Sequence, residues 1–318
     1  MPKVTQWERA IGGRIRLRDL FVFLTVIECG SMSRAAARLG VSTPSVSELV
    51  ADLEHAVGVR LLDRSNRGVV ATPFGEALRL RGQAAFDELR QGMRDIESIA
   101  DPGSGEVRIG CPESAAAFLV FVIEQVSRRY PRMRFVTRQV RAPTVEFPEL
   151  LSRDSDLVLA RLVSAPLQGR LGENFDAEVL FDDPFSAVVG SRSKWARRRR
   201  IDLSELAKER WILPSLDVLA GLILQDAFRA RGLKAPEPHI ETFSILLRNT
   251  LPVRGDYISV LPRSALRLSA ERYGLKELPI ALSSPRSSPL AIVTLKNRSL
   301  TPAVRVFIEC AREAAKQF

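Results

Sequence analysis

Two short helices joined by a tight turn, between residues 33 and 57, constrain the fold of this chain most strongly. Ala36 is small where two helices must cross closely, Gly40 permits the positive φ of a turn, and Val46 is an apolar anchor for the second helix. These residue types at this spacing predict a helix-turn-helix, a motif that places its second helix in the major groove of DNA. A helical hairpin inside an ordinary α-helical domain is the alternative interpretation.

The helices around this turn begin and end at residues with suitable capping chemistry. Apolar residues at helical spacing predict a helix over residues 17–29, which Gly30 ends. Ser42 suits the start of the helix after the turn, because its hydroxyl accepts hydrogen bonds from the N–H groups of the first turn. Pro44 fits that first turn, and Gly58 ends the helix.

A hairpin and a long helix follow. Residues 59–72 have the pattern of two short strands around a turn at residues 65–68. A hairpin beside a helix-turn-helix is a wing, so the first domain is predicted to be a winged helix-turn-helix. Thr72 and Pro73 then open a helix that extends to about Ala100.

The long helix carries an apolar seam whose gaps alternate between four and three residues, which is the spacing of a coiled coil. The seam consists of Leu78, Gly82, Ala85, Leu89, Gly92, Ile96 and Ile99. Its small residues weaken the helix but let two backbones approach, so the seam is predicted to form a dimer. The alternative is an amphipathic helix that packs on its own domain.

After the segment DPGSG, residues 101–105, strands alternate with helices. The predicted strands are residues 106–110, 133–140, 156–162, 185–190, 211–214, 257–262 and 290–295. The predicted helices are residues 118–129, a stretch from 148, 202–207, 219–232 and about 301–316. This order predicts an α/β region with largely parallel sheets, long enough for two small lobes.

Composition limits the classes of function. The net charge of +10 invites a nucleic-acid partner, but residues 1–100 carry 14 basic and 12 acidic residues whereas residues 101–318 carry 33 and 25. The excess positive charge therefore lies mostly outside the predicted DNA-binding region. No apolar run approaches the roughly 20 residues of a membrane span, and the N-terminus lacks a secretory pattern, so we expect a cytoplasmic protein without a membrane partner.

The chain offers little for catalysis. Its 3 cysteines are far apart and form no CxxC pair, and it has only 2 histidines, which argues against a disulfide framework, a zinc site and a Ser-His-Asp triad. The motifs GxSxG, GxGxxG after a strand and GxxxxGK[ST] are absent from the sequence. We expect neither an enzyme nor a bound cofactor or metal.

Taken together, these segments resemble the LysR family of transcriptional regulators along nearly the whole chain. The resemblance is densest in five motifs of the first domain: GSMSRAAARL, STPSVS, LEHAVGVRL, the RSNR of the wing and TPFG. Further on, residues 180–214 resemble the opening of the family's second regulatory lobe, and VRGDYISVLP resembles a family motif that ends in LP. The chain departs from the family in having Leu62 in place of the usual Phe, Asp256 and Tyr257 in a turn that is usually glycine-rich, and an extension over residues 1–16.

The resemblance implies a function and an assembly. Members of the family form dimers through the linker helix and usually tetramers, bind two spaced sites on double-stranded DNA, and bend it in response to a small effector held between two lobes. It also implies RNA polymerase as a further partner. The implied solute-binding-protein-like region has its lobes joined by two crossing strands, expected near residues 162–166 and 279–284.

The resulting domain boundaries are expectations. They are a winged helix-turn-helix over residues 1–72, a linker helix over 73–100 and an effector region over 106–318, with a first lobe of about 106–164 and 283–318 and a second lobe of about 165–282. A periplasmic solute-binding protein is one rival interpretation, although such a protein would carry a signal peptide and no helix-turn-helix. An α/β enzyme is the other, and it would need the motifs that this sequence lacks.

Candidate DNA contacts lie at the start of the recognition helix and on the wing. The polar residues at the helix start are Ser42, Thr43, Ser45, Ser47 and Glu48. Hydroxyls can bond several base edges and Glu48 can accept from a cytosine amine, although Ser42 is better suited as a cap and Glu48 equally suits solvent. Arg34, Arg64 and Arg67 are candidates for phosphate or minor-groove contacts. Their alternative is an ion pair with Asp63 or Glu54.

Candidate effector contacts follow from strand ends, where backbone N–H groups and helix dipoles converge. Ser114, Thr144 and Ser215 each follow a predicted strand, and the first two match family positions that often present a hydroxyl; plain helix capping is the alternative. Arg161 and Arg254 favour an organic anion, whereas Glu113 opposes one.

Two further features have simple interpretations. Cys111 lies near the same strand end and invites a redox role, but an inert thiol is the interpretation we prefer because no cysteine is near it in sequence. The basic run at residues 197–200 is expected to be a solvated loop.

Overall fold

The computed structural model describes residues 15–65, 68–100, 104–140, 146–162, 173–282, 284–285 and 289–318. The chain divides into two compact units, one ending at Arg90 and the other beginning at Gln91. The helices of the first unit are α1 (Leu17–Cys29), α2 (Met32–Leu39), α3 (Thr43–Val57) and the start of α4 (Pro73–Ala100), and its strands are β1 (Leu62–Ser65) and β2 (Gly68–Ala71).

The first unit is the predicted winged helix-turn-helix. Its core includes the fully buried side chains of Phe23 from α1 and of Val46 and Leu53 from α3. Gly40 has a φ of 67° and ends α2, as the turn requires. Strands β1 and β2 pair in antiparallel fashion to form the wing.

The TPFG motif joins the wing to the long helix through a close backbone approach. The Thr72 hydroxyl donates to the Arg60 carbonyl oxygen at 2.9 Å and accepts from Gly75 N–H at 3.0 Å. A Cβ atom on Gly75 would lie 2.0 Å from the Leu61 carbonyl oxygen. The threonine therefore caps α4, and only glycine fits three residues later.

The predicted seam of α4 has two different environments. Leu78 is partly buried in the core of the first unit, and a Cβ atom on Gly82 would lie only 3.0 Å from Leu20 of α1. This part of the seam packs on its own domain, as the alternative interpretation held. Further along, Leu89 and Ile96 are exposed.

The second unit contains two mixed sheets with helices packed on them. Its strands are β3 (Ser104–Cys111), β4 (Arg132–Gln139), β5 (Leu157–Arg161), β6 (Phe175–Asp182), β7 (Phe185–Gly190), β8 (Arg210–Leu213), β9 (Ile240–Glu241), β10 (Tyr257–Pro262), β11 (Leu275–Glu277) and β12 (Pro289–Leu295). Its helices after α4 are α5 (Ala116–Arg129), α6 (Pro148–Leu151), α7 (Leu219–Arg229), α8 (Ile245–Arg254), α9 (Arg263–Tyr273) and α10 (Pro302–Ala315).

The two sheets define two lobes. Within the described residues the first sheet has the order β4-β3-β5-β12-β6, and α5 and α10 pack against its core. The second has the order β11-β7-β10-β8-β9. Each sheet combines parallel and antiparallel pairs, such as β3 with β4 and β5 with β12, so the expectation of largely parallel sheets is wrong.

The boundary between the lobes also differs from the expected one. Strand β6 pairs along its whole length with β12 and so belongs to the first sheet, although its residues were assigned to the second lobe. The chain passes to the second sheet at Asp183 and Pro184, directly before β7, and returns after β11. Of the crossing expected at residues 162–166, all but Leu162 lies outside the described residues.

Candidate functional site

The recognition helix α3 begins with a capped and partly exposed polar turn. The Ser42 hydroxyl accepts from Ser45 N–H at 3.3 Å, which confirms Ser42 as the cap, and the two hydroxyls lie 2.9 Å apart. Thr43 and Glu48 are exposed, whereas Ser45 and Ser47 are half-buried. This turn presents hydroxyl, carboxylate and backbone groups on one surface of the first unit.

Arg64 connects the wing with this surface. Its Nη1 atom donates to the Ser47 hydroxyl at 2.9 Å, and its side chain is exposed. In the described part of the chain Arg64 forms no ion pair, and the carboxylate of Glu54 is used instead by the N–H groups of Leu61 and Leu62. The alternative of an ion pair for Arg64 is therefore absent from the described contacts; Arg67 lies outside the described residues.

Two arginines of α2 differ in their surroundings. Arg34 is exposed and, among the described residues, forms no ion pair. Arg38, one turn later, pairs with Glu28 at 2.9 Å. Of the two guanidinium groups, that of Arg34 is the better placed to meet a phosphate.

The wing is held beside the start of α2 by a backbone contact. Val69 N–H donates to the Gly30 carbonyl oxygen at 3.1 Å. Gly68 has a φ of 128°, and a Cβ atom there would lie 2.7 Å from the same oxygen. This approach needs glycine, so the wing and the turn before α2 form one continuous surface.

In the second unit a cavity of about 710 Å³ opens at the carboxyl ends of β3, β4 and β8. Its wall includes Ser114 and Arg161 from the first lobe, which are two of the predicted effector residues. The predicted Ser215 and Arg254 are not among its described lining residues, although Pro214 is, and Thr144 lies outside the described residues.

Arg161 is committed to the framework of the cavity. Its Nη2 atom donates to Asp183 Oδ2 at 2.5 Å and to the Ser114 carbonyl oxygen at 2.7 Å. Asp183 also accepts from the hydroxyl and the N–H of Ser264, at 2.6 and 2.9 Å. Because Arg161 and Asp183 are both buried, their charges balance each other. The expectation that Arg161 adds free positive charge for an anion therefore finds no support in these contacts.

Arg248 of α8 is the cavity residue that the sequence reasoning missed. Its side chain is 4% exposed, its Nη1 atom donates to the Val260 carbonyl oxygen at 2.9 Å, and its Nε atom has no hydrogen-bond partner among the described residues. Burial lowers the pKa of Arg248 to about 10, which leaves the group protonated at pH 7. The sequence offers only an arginine amid the apolar residues of ILLRN, which does not by itself place the side chain in a cavity.

Cys111, at the end of β3, has the environment of an inert thiol. It is buried, and its Sγ lies 3.4 Å from the Pro112 carbonyl oxygen. Burial, with a smaller contribution from Glu113, raises the pKa of the thiol to about 12. The thiolate that redox chemistry needs is therefore scarce at neutral pH.

Three remaining features are the basic run at residues 197–200, the potential metal ligands and the apolar character of the helices. Residues 197–200 are exposed, and Arg198 pairs with Glu205 at 2.7 Å. No cluster of three potential metal ligands occurs in the described residues. Among the helices of the described ranges, none has the length and apolar character needed to span a bilayer.

Comparison with known proteins gives matches over most of the chain. The model of the bacterial regulatory helix-turn-helix of the LysR family matches residues 17–76, and that of the LysR substrate binding domain matches residues 100–316. A relative from Shigella flexneri, described as the uncharacterized HTH-type transcriptional regulator YfeR, is 28% identical, with 93% of each chain covered. The transcriptional dual regulator GltC of Bacillus subtilis is 27% identical, with 93% of this chain and 96% of GltC covered.

Solved structures share the fold. A full-length OxyR variant from Pseudomonas aeruginosa aligns with a TM-score of 0.61 at 22% identity, and covers 95% of each chain. CbnR, described as a LysR family transcriptional regulator, aligns with a TM-score of 0.60 at 17% identity, with 95% of this chain and 99% of CbnR covered. These likenesses extend to both the helix-turn-helix and the two-lobed region.

Proposed function

This chain belongs to the LysR family of DNA-binding transcriptional regulators, and on that premise we propose how its own residues bind DNA and sense an effector. The family joins a helix-turn-helix domain to an effector-binding domain, and both are present here. What this chain adds is a particular set of side chains on the recognition surface and a particular cavity.

The DNA-binding surface of the proposal consists of the start of α3, the wing and the start of α2. Thr43, Ser45, Ser47 and Glu48 face the base edges, while Arg34 and Arg64 contact phosphates, with Arg67 assigned to the same task from its position in sequence. The observation that carries this assignment is the hydrogen bond of Arg64 to Ser47, which joins wing and recognition helix on one exposed face.

The effector site of the proposal is the cavity beside Ser114. It has the size of small-molecule sites in proteins, and it lies at strand ends in an α/β region, where such sites occur. We assign Ser114 and Thr144 to the ligand, on their positions at strand ends. Ser215 and Arg254, which do not line the described wall, become less favoured than in the sequence-based assignment.

The assembly of the proposal is a dimer through the exposed part of α4. Leu89, Met93 and Ile96 are exposed there and lie on neighbouring turns of one helix. A tetramer through the second unit and a contact with RNA polymerase follow from the family alone. The protein works in the cytoplasm as a regulator rather than as an enzyme.

The DNA-binding assignment is tested by the affinity of purified protein for the DNA upstream of its own coding sequence. We expect Arg34→Ala to weaken binding on every sequence tested, because a phosphate contact carries no base information. Arg38→Ala is the matched control: it removes the same charge from the same helix, but from a group that Glu28 already neutralises. Equal losses for the two variants would contradict the assignment of Arg34, and no binding by the wild type to any fragment would contradict the surface as a whole.

A further inference from the structure

Besides Arg161, which pairs with Asp183, two charged side chains of opposite sign line the cavity of the second unit. Glu113 follows β3 in the first lobe, and Arg248 belongs to α8 in the second lobe. No ion pair within 4.0 Å joins them or involves either one anywhere in the described residues. They are nevertheless close enough for the Glu113 carboxylate to raise the pKa of Arg248, against the larger lowering by burial.

Arg248 is built as an anion anchor. Its guanidinium is almost wholly removed from water, yet only its Nη1 atom has a described protein acceptor, the Val260 carbonyl oxygen. Because Arg248 lines the cavity and has no carboxylate partner among the described residues, a carboxylate in the cavity would form a charge-assisted hydrogen bond with it. The other arginine of the wall, Arg161, already has its counterion in Asp183.

Glu113 disfavours a plain carboxylic acid as the ligand of Arg248. A plain carboxylic acid bound to Arg248 would lie near a second, exposed carboxylate on the opposite wall. The two carboxylates would repel each other, and the repulsion is larger in a cavity that is partly shielded from water than in bulk water. A ligand that also carries an ammonium group converts this repulsion into attraction.

The rest of the wall suits an organic side chain. Phe185, Leu219 and Phe243 contribute apolar surface, and the cavity of about 710 Å³ has room for more than the two charged groups. A ligand that reaches both charges would contact both lobes, so its binding would favour one arrangement of the lobes over others.

We infer that the effector is a zwitterion of the amino-acid class, whose carboxylate binds Arg248 and whose ammonium group binds Glu113. This inference rests on the proposed role of the cavity as the effector site. It revises the expectation of an organic anion, because the cavity presents one unneutralised charge of each sign rather than an excess of positive charge.

The test uses the full-length protein and matched sets of three compounds. Each set contains an L-amino acid, the acid that lacks its amino group and the amine that lacks its carboxyl group, for example L-phenylalanine, 3-phenylpropionate and phenethylamine. Thermal-shift measurements identify the sets that bind, and calorimetry gives their affinities. We expect one or more amino acids to raise Tm and to bind about 10- to 100-fold more tightly than either matched compound, which is the range of one charge-assisted hydrogen bond.

Variants assign each charge. Arg248→Met should abolish the response to the amino acid, whereas Arg248→Lys keeps the charge and should retain part of it. Glu113→Gln should weaken the binding of the amino acid and strengthen the binding of its matched acid. Arg254→Met is the control, because it removes a charge from the same helix at an exposed position outside the described cavity wall. Circular dichroism melts show whether each variant folds.

The outcomes separate this inference from the proposed function. The inference of a zwitterion is wrong if a matched acid binds as tightly as its amino acid and Glu113→Gln changes neither affinity. It is also wrong if no amino acid raises the Tm of the wild type. If a compound of another class binds the wild type and loses its binding when Ala220→Trp fills the cavity, the proposed effector site still stands. A compound whose affinity survives that substitution would overturn the site, and the inference with it.

Discussion

Arg64 and Ser47 act as a pair, because the hydrogen bond between them orients an otherwise mobile surface side chain. We expect Arg64→Ala to weaken DNA binding and to reduce the slope of log affinity against log salt by roughly one unit, as the loss of one phosphate contact does. Ser47→Ala should lose part of the same affinity, and the double variant should lose little more than Arg64→Ala alone. Binding measured for the wild type, both single variants and the double variant across a range of salt concentrations completes this double-mutant cycle. Strictly additive losses of binding free energy would show that the two residues act independently.

Cys111 should be chemically silent in the folded protein. Its pKa is raised from the ordinary value of 9.0 to about 12, so the folded protein holds the proton that the unfolded chain begins to lose near pH 9. The contribution of the protonated Cys111 thiol to the free energy of unfolding is therefore complete below about pH 9 and is lost as the pH rises towards 12.

Alkylation followed by mass spectrometry checks this at pH 8. Cys29, which is half-buried, should react in the native protein, whereas Cys111 should react only after unfolding in guanidinium. Rapid labelling of native Cys111, or its loss on mild peroxide treatment while the protein stays folded, would restore a redox role.

At the scale of single elements, α4 offers a direct test of the proposed dimer. Leu89, on the predicted seam, is 49% exposed, and Leu80, off the seam on the same helix, is 51% exposed. We expect Leu89→Glu to abolish the dimer, because each carboxylate would be buried against its symmetry mate, and Leu80→Glu to leave it intact. Sedimentation velocity distinguishes the two variants, and identical sedimentation would place the dimer contact on another surface.

The same helix shows how far periodicity can predict packing. The gaps of four and three residues predicted one continuous seam, but in the second half of α4 the seam residues Leu89 and Ile96 are exposed, whereas Asp87 and Gln91 are buried. Leu78 packs against the core of the first unit and Gly82 against Leu20 of α1, while Leu89 is exposed in the single chain. Packing within the chain, the alternative interpretation, therefore holds for the first part of the seam, and the dimer stays a prediction for the exposed part.

Strand prediction succeeded where burial is continuous. The runs FSAVVG and YISVLP match β7 and β10 residue for residue, because nearly all their residues are buried and breakers flank them. Strand β6 was missed because it is an edge strand whose residues are all exposed or half-buried, and its partner β12 begins more than a hundred residues later. Local sequence holds no signal for that pairing.

The candidate site was predictable to a similar degree. Ser42 as a cap and Ser114 at a strand end both follow from local chemistry. Arg248 does not, since its helix α8 contains Pro252, which argues against a helix in the sequence, and its position depends on how the second lobe folds around it. The pairing of Arg161 with Asp183 likewise joins strands that only the tertiary fold brings together.

At the scale of the whole regulatory region, Asp183 is the main polar connection at the passage between the lobes. We expect Asp183→Ala to destabilise the protein by roughly 3–5 kcal/mol, because it removes the carboxylate that balances the buried Arg161. Replacing both residues with apolar ones, as in Arg161→Met with Asp183→Leu, should recover much of this loss.

Unfolding in urea, followed by tryptophan fluorescence of the second lobe, measures these changes. Glu178→Ala is the control, because it removes one partner of an exposed pair with Arg312 and should cost no more than about 1 kcal/mol. If Asp183→Ala costs as little as the control, the buried pair contributes little to the stability of the region.

The position of β12 has a consequence for how the protein is made. This strand lies between β5 and β6 in the first sheet, yet it leaves the ribosome more than a hundred residues after either of them. At about 5–20 residues per second, synthesis from Arg90 to Pro289 takes roughly 10–40 s, during which the whole DNA-binding unit is already outside. A chain cut short between Arg90 and β12 would therefore keep the complete helix-turn-helix unit but lack an interior strand of the first sheet, so we expect it to bind DNA without responding to an effector.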